Sequence, residues 1–237
     1  MNRREFAFFG LTSLSGLAIG PAHSETAASA LLHQVTSNLA QRHAENLAIP
    51  LSWVARQFSG HDPVAQRVAA FHLIQHVPYR LTRWTGDPDS LFQGWRGDCR
   101  HKAFAQMRLF SALGMPVCHA KVRFDWADLP IPSSILAELP QTLGVHDTVE
   151  LVLDGQRMIV DPTWDPTLAA AGFPVLAAWD GRSPTPLVTR GEITIAYPDR
   201  LPDGVGIYDH LGVPWPNRER TQAFNRAFNA WLNTLRT

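Results

Sequence analysis

The sequence predicts an α+β domain. Apolar residues recur at helical spacing in separate stretches, most clearly at 62–76, 98–113 and 218–235, which marks amphipathic helices. Between them, 145–153 and 156–160 read as strands around Asp154-Gly155, a two-residue hairpin signal that makes the pair antiparallel. With 237 residues, 45% of them hydrophobic, the chain can bury one core with decorations rather than two small domains.

The first 24 residues stand apart. Arg3-Arg4-Glu5-Phe6 precedes an apolar run, 7–20, and then Ala22-His23-Ser24 supplies small residues at the −3 and −1 positions of a cleavage site. This order describes a secretory signal peptide, and the paired arginines before Phe6 resemble a twin-arginine export signal. The expectation is a periplasmic or secreted protein whose mature single domain is 25–237. The apolar run of about 14 residues is short of the ~20 that a membrane span needs, so no stable span is expected once the leader is removed.

The mature chain opens with a helix at 27–47, where Leu31, Leu32, Val35 and Leu39 keep helical spacing. A sharper start follows: Asp62 is a good N-cap, Pro63 fits the first helical position, and Val64, Val68, Phe71 and Leu73 or Ile74 form an apolar face. Pro78 ends that helix near His76. A polar loop, 83–97, leads to Asp98, which can cap a helix with Ala103, Phe104, Met107, Phe110 and Leu113 toward the core. Gly114 stops this helix and Pro116 lies beyond. A strand at 117–124, an irregular insertion at 126–144 with a short helix at 133–139, the hairpin, a strand at 192–197 and the amphipathic helix 218–235 complete the order. Phe224, Phe228, Trp231 and Leu235 share one face of the last helix.

Cys99 begins the helix capped by Asp98. A thiol there faces unpaired backbone N–H groups and the positive end of the helix dipole, and both favour the nucleophilic thiolate. The hairpin supplies partners. With Leu153 opposite Gln156, Asp161 falls opposite Thr148 and His146 opposite Thr163, so these four share one face. His146 and Asp161 become diagonal neighbours about 7 Å apart at Cβ, a gap that an imidazole and a carboxylate can close. Asp147 points to the other face. Asp165, in a Pro-flanked turn, is the rival for the acidic position.

These residues resemble the transglutaminase-like cysteine enzymes, whose papain-type core carries a helix-borne Cys, then a strand His, then a strand Asp. The match runs through Gly97-Asp98-Cys99, LFSALGMPV at 109–117, HDTVE at 146–150 and LDGQRMIVDPTW at 153–164. It covers about 64–166, and its Gly-Asp-Cys form is most similar to the bacterial transglutaminase-like peptidases. The resemblance implies a Cys-bearing helix packed on an antiparallel sheet, with the helices at 27–47 and 218–235 wrapping that core. By the same resemblance Cys99 is the nucleophile, His146 the general base and later acid, and Asp161 the residue that orients the imidazole. The Cys99 backbone N–H is one oxyanion donor; Tyr79 is the candidate for the second, ahead of Trp95. Arg100 stands where animal transglutaminases carry an aromatic, and His146-Asp147-Thr148 replaces the frequent His-Ala-Trp.

The expected activity is hydrolysis of an amide in a peptide or protein substrate through a thioester. Glutamine crosslinking or deamidation is the alternative within the same chemistry, and a non-catalytic binding module is the alternative outside it. Specificity is expected from 83–97, 126–144 and the segments after Pro166. No cofactor is implied. A net charge of zero leaves no electrostatic footprint for nucleic acid or an anionic membrane. A metal site is disfavoured, because Cys99 and His101 diverge on a helix and Cys118 and His119 alternate on a strand. His72 and His76 share a helix face but lack the glutamate of a metalloprotease motif. A Cys99–Cys118 disulfide is disfavoured by the helix between them, which at ~1.5 Å per residue separates its ends by ~20 Å.

Overall fold

The computed structural model describes residues 21–236 and is a mixed helical and antiparallel-sheet fold, the α+β class the sequence predicts. The helices are α1 (Pro21–Ala44), α2 (Leu51–Gln57), α3 (Pro63–His76), α4 (Ser90–Gly94), α5 (Cys99–Ala112), α6 (Ser133–Leu136), α7 (Ile207–Leu211) and α8 (Arg218–Thr234). The strands are β1 (Val117–Asp125), β2 (Leu143–Leu153), β3 (Gln156–Val160) and β4 (Thr194–Ala196), in the spatial order β3-β2-β1-β4. Of the expected leader, 1–24, residues 1–20 lie outside the described residues; 21–24 belong to the first turns of α1, which starts earlier than position 27. No described helix is long and apolar enough to cross a membrane.

The local signals act as read. Asp62 accepts from the Val64 and Ala65 N–H groups, both at 3.0 Å, with Pro63 at the first position of α3. Asp154 and Gly155 take φ of 50° and 77°, the left-handed pair that a tight hairpin requires. Leu153 pairs with Gln156 and Val149 with Val160, the expected register.

Elsewhere the structure corrects the expectation. The 83–97 loop contains α4, and α2 and α7 appear where only connections are expected. These helices of five to seven residues are too short to display an apolar period. The α5 core face is broader than Ala103, Phe104, Met107, Phe110 and Leu113. Phe104, Met107 and Leu113 are only half-buried, whereas Lys102, Ala105, Gln106 and Leu109 are buried. The cause is that α5 is covered on more than one side, by α2 and α3 and by β1 and β2, so a single apolar stripe does not describe it. The strand expected at 192–197 is only β4, and β2 begins at Leu143, inside the expected insertion.

Two apolar clusters form the interior. One joins α1, α2 and α3 to Ala105, Leu109 and Phe110 of α5 and to Leu151, Met158 and Val160 of the hairpin. The other gathers Phe224, Phe228 and Leu232 of α8 with Val122, Phe124, Tyr79 and Trp164, and Cys99 packs against it. Helix α5 therefore runs from one cluster to the other, with its first residue at the second.

Candidate active site

Gly97 sets the approach to α5. A Cβ there would lie 2.5 Å from the His101 Cβ and 2.8 Å from a Leu91 methyl, so only glycine fits. Its carbonyl accepts from Arg80 N at 2.9 Å, and this bridge lays Tyr79 beside the start of the helix. Asp98 then caps α5. Its Oδ1 accepts from Arg100 N at 3.0 Å and lies 2.8 Å from His101 Nδ1, while Oδ2 meets the Arg100 guanidinium at 3.0 Å. Burial works against the Asp98 charge, but His101 and Arg100 outweigh it and hold the carboxyl below the usual range. The Cys99 N–H is left clear of the cap, whose bonds go to Arg100 and His101.

His146 is 2% exposed, and its Nε2 lies 2.7 Å from Asp161 Oδ2. The other carboxylate oxygen, Oδ1, accepts from Thr163 N at 3.0 Å, and the Asp161 N–H donates to Thr185 Oγ1 at 2.7 Å. With Nε2 committed to the acid, Nδ1 is the ring nitrogen available to the thiol. Burial pushes the imidazole pKa down, yet the Asp161 charge and hydrogen bond, with a further contribution from the neighbouring Cys99, raise it to about 10. The structure thus brings Cys99, His146 and Asp161 together.

Tyr79 lines the same cleft. Its ring packs on Trp164 with centroids 4.5 Å apart, and burial, reinforced by the Cys99 and Asp98 charges, holds the phenol well above its usual pKa. The hydroxyl consequently stays protonated and can donate. Trp95 goes elsewhere: it sits at φ 46° after α4 and packs near His43 and Phe92, away from the thiol. Asp165 does not reach His146. It accepts from Tyr79 N at 2.8 Å and from Arg236 at 2.6 Å, so its task is to hold Tyr79. Asp147, on the other face of β2, binds His119 and Lys121 of β1.

The cleft is about 440 Å³. Trp126, Leu139, Gln141 and Gly144 of the insertion line it, as do Tyr208, Trp215 and Arg220 from the C-terminal part. The 83–97 loop, expected to contribute specificity, does not line the cleft. Its Asp89 and Gln93 side chains instead accept from the Leu51 and Ile49 N–H groups at the start of α2. The sequence does not single out Lys102, which follows Arg100 and His101 in the polar first turn of α5. Both cysteines are unpaired, and no group of three or more metal-binding side chains converges among the described residues.

No protein-family model matches this chain, and no curated protein matches it significantly in sequence.

Proposed function

We propose that this protein is a cysteine-dependent hydrolase that cleaves an amide bond in a peptide or protein through a Cys99 thioester. The observation that carries the reading is the buried 2.7 Å His146–Asp161 pair opening on the cleft that holds Cys99. An imidazole with a pKa near 10 rests as imidazolium at neutral pH, so His146 enters the reaction already holding a proton for the departing amine. The thiolate attacks the amide carbon, and the oxyanion takes hydrogen bonds from the Cys99 N–H and the Tyr79 hydroxyl. Collapse breaks the C–N bond as His146 protonates the departing amine. The neutral imidazole then takes a proton from water, the hydroxide equivalent attacks the thioester carbon, and collapse breaks the C–S bond to release the free acid and restore the thiolate beside the imidazolium.

This chemistry, and the order Cys, His, Asp, support assignment to the transglutaminase-like enzymes with a papain-type core, on the peptidase side. The leader-like start further supports export of the mature chain. Incubating the protein and its Cys99→Ala variant with a proteome-derived peptide library, with and without an added primary amine, tests the proposal. New peptide termini formed by the parent and absent with Cys99→Ala are expected. Undiminished cleavage by the variant, or none by the parent, overturns the hydrolase reading, and products carrying the amine would assign transamidation instead.

A further inference from the structure

Lys102, on the helix that bears Cys99, has no part in this chemistry. It lies one helical turn after Cys99 and is wholly buried. Its Nζ donates to the Gln75 carbonyl in the last turn of α3 at 3.0 Å and to the Pro162 carbonyl at 3.3 Å. Asp165 and Asp161 face the ammonium from the turn after β3, and Arg236, beyond α8, opposes them. On the α3 side it meets a main-chain oxygen, the carbonyl of Gln75, whose side chain is engaged by His72 and Leu176.

Pro162 follows Asp161 directly, so the bond to its carbonyl bears on the carboxylate that grips His146. This turn is also tethered by Thr185 at the Asp161 N–H, by the internal bond from Thr163 N to Asp161 Oδ1, and by Thr163 Oγ1, 3.4 Å from His146 Nε2. None of these ties it to α5. Burying an amine is unfavourable unless it is hydrogen-bonded, and an apolar side chain of equal volume would fill this space at lower cost. What the amine adds is a fixed link between the helix bearing the thiol and the turn bearing the acid.

We propose that Lys102 is a positioning residue of the Cys99 site, holding the 161–163 turn against α5 through the Pro162 carbonyl so that Asp161 meets His146. The proposal rests on the triad of the preceding section, but its test reads the imidazole and not turnover, so the two can fail separately.

The experiment is an NMR titration of the His146 ring in the parent and in Lys102→Met. The parent midpoint is expected near 10. Near pH 10 the Lys102 amine is uncharged, so its loss alone leaves the midpoint in place, whereas releasing Asp161 lowers it. A fall of at least about one pH unit, a tenfold loss of proton affinity, is expected in the variant. Leu31→Ala, which removes buried surface from α1, is expected to leave the midpoint in place. An unchanged or higher midpoint in Lys102→Met, or an equal fall in Leu31→Ala, overturns the proposal. Should Lys102→Met fail to fold, the Pro162 carbonyl ¹³C shift of the parent decides. It is expected to titrate with Lys102, near pH 7, and a shift flat through that range overturns the proposal.

Discussion

Replacing Asp161 with Asn removes the charge opposite His146 while keeping the side-chain shape, and its effect on stability depends on pH in a way the structure fixes. The imidazole pKa is 6.5 in a free side chain and about 10 in the fold, so the native state holds an extra proton between those values. The stability this confers is complete below about 6.5 and is lost as the pH climbs through about 10. By linkage it amounts to about 4 kcal/mol near neutral pH and about 1.5 kcal/mol near pH 9, in line with the 3–5 kcal/mol cost of breaking a buried ion pair. Lys102 acts in the opposite sense: burial lowers its pKa from 10.5 to about 7, so between those values the unfolded chain binds the extra proton and stability rises with pH. In the parent these two slopes largely cancel. Asp161→Asn retains the lysine slope alone, so its stability should rise between about pH 6 and pH 9, closing on the parent by about 3 kcal/mol. Urea denaturation of both proteins across this range is the assay. Parallel curves for parent and variant would refute the claim that Asp161 holds a proton on His146.

Two further outcomes follow from groups around the site. Arg236→Ala removes the guanidinium that joins the Tyr79 carbonyl to Asp165, and leaves a buried carboxylate short of a partner. A loss of about 1–3 kcal/mol in urea denaturation is expected, with Tyr79 displaced from Trp164 in a crystal structure of the variant. Asp98→Ala deletes the cap of α5 together with its bonds to Arg100 and His101, and should cost about 0.5–2 kcal/mol by the same measurement while slowing alkylation of Cys99.

The parts legible in the sequence are those set by local chemistry. Asp62-Pro63, Asp98, Gly114 and Asp154-Gly155 each impose one backbone conformation, and together they locate α3, α5 and the hairpin. Register then follows from the turn alone, which is why His146 and Asp161 could be paired before any tertiary contact was known. What escaped depends on packing between distant segments. Lys102 lies at a position that only the meeting of α3, α5 and the 161–165 turn makes polar. The C-terminal Arg236 reaches Tyr79 across 157 positions of the chain. The 83–97 loop was expected at the cleft because it adjoins Cys99 in sequence, yet Asp89 and Gln93 anchor it to α2. The walls supplied by Tyr208, Trp215 and Arg220 carry no local signal that separates them from ordinary surface residues.

In the proposed reaction Cys99 is the acyl-accepting thiol and His146 activates it. Cys118 supplies an internal control, because burial and its hydrogen bond with Glu150 push that thiol up to about 11. The most direct test is to mix the full chain with limiting p-nitrophenyl acetate at neutral pH and map the acetyl group by peptide mass spectrometry. Acetylation of Cys99 well ahead of Cys118 is expected, followed by discharge to water, with the labelling of Cys99 at least tenfold slower in His146→Ala. Equal labelling of the two cysteines, or an unchanged rate at Cys99 in His146→Ala, would contradict it.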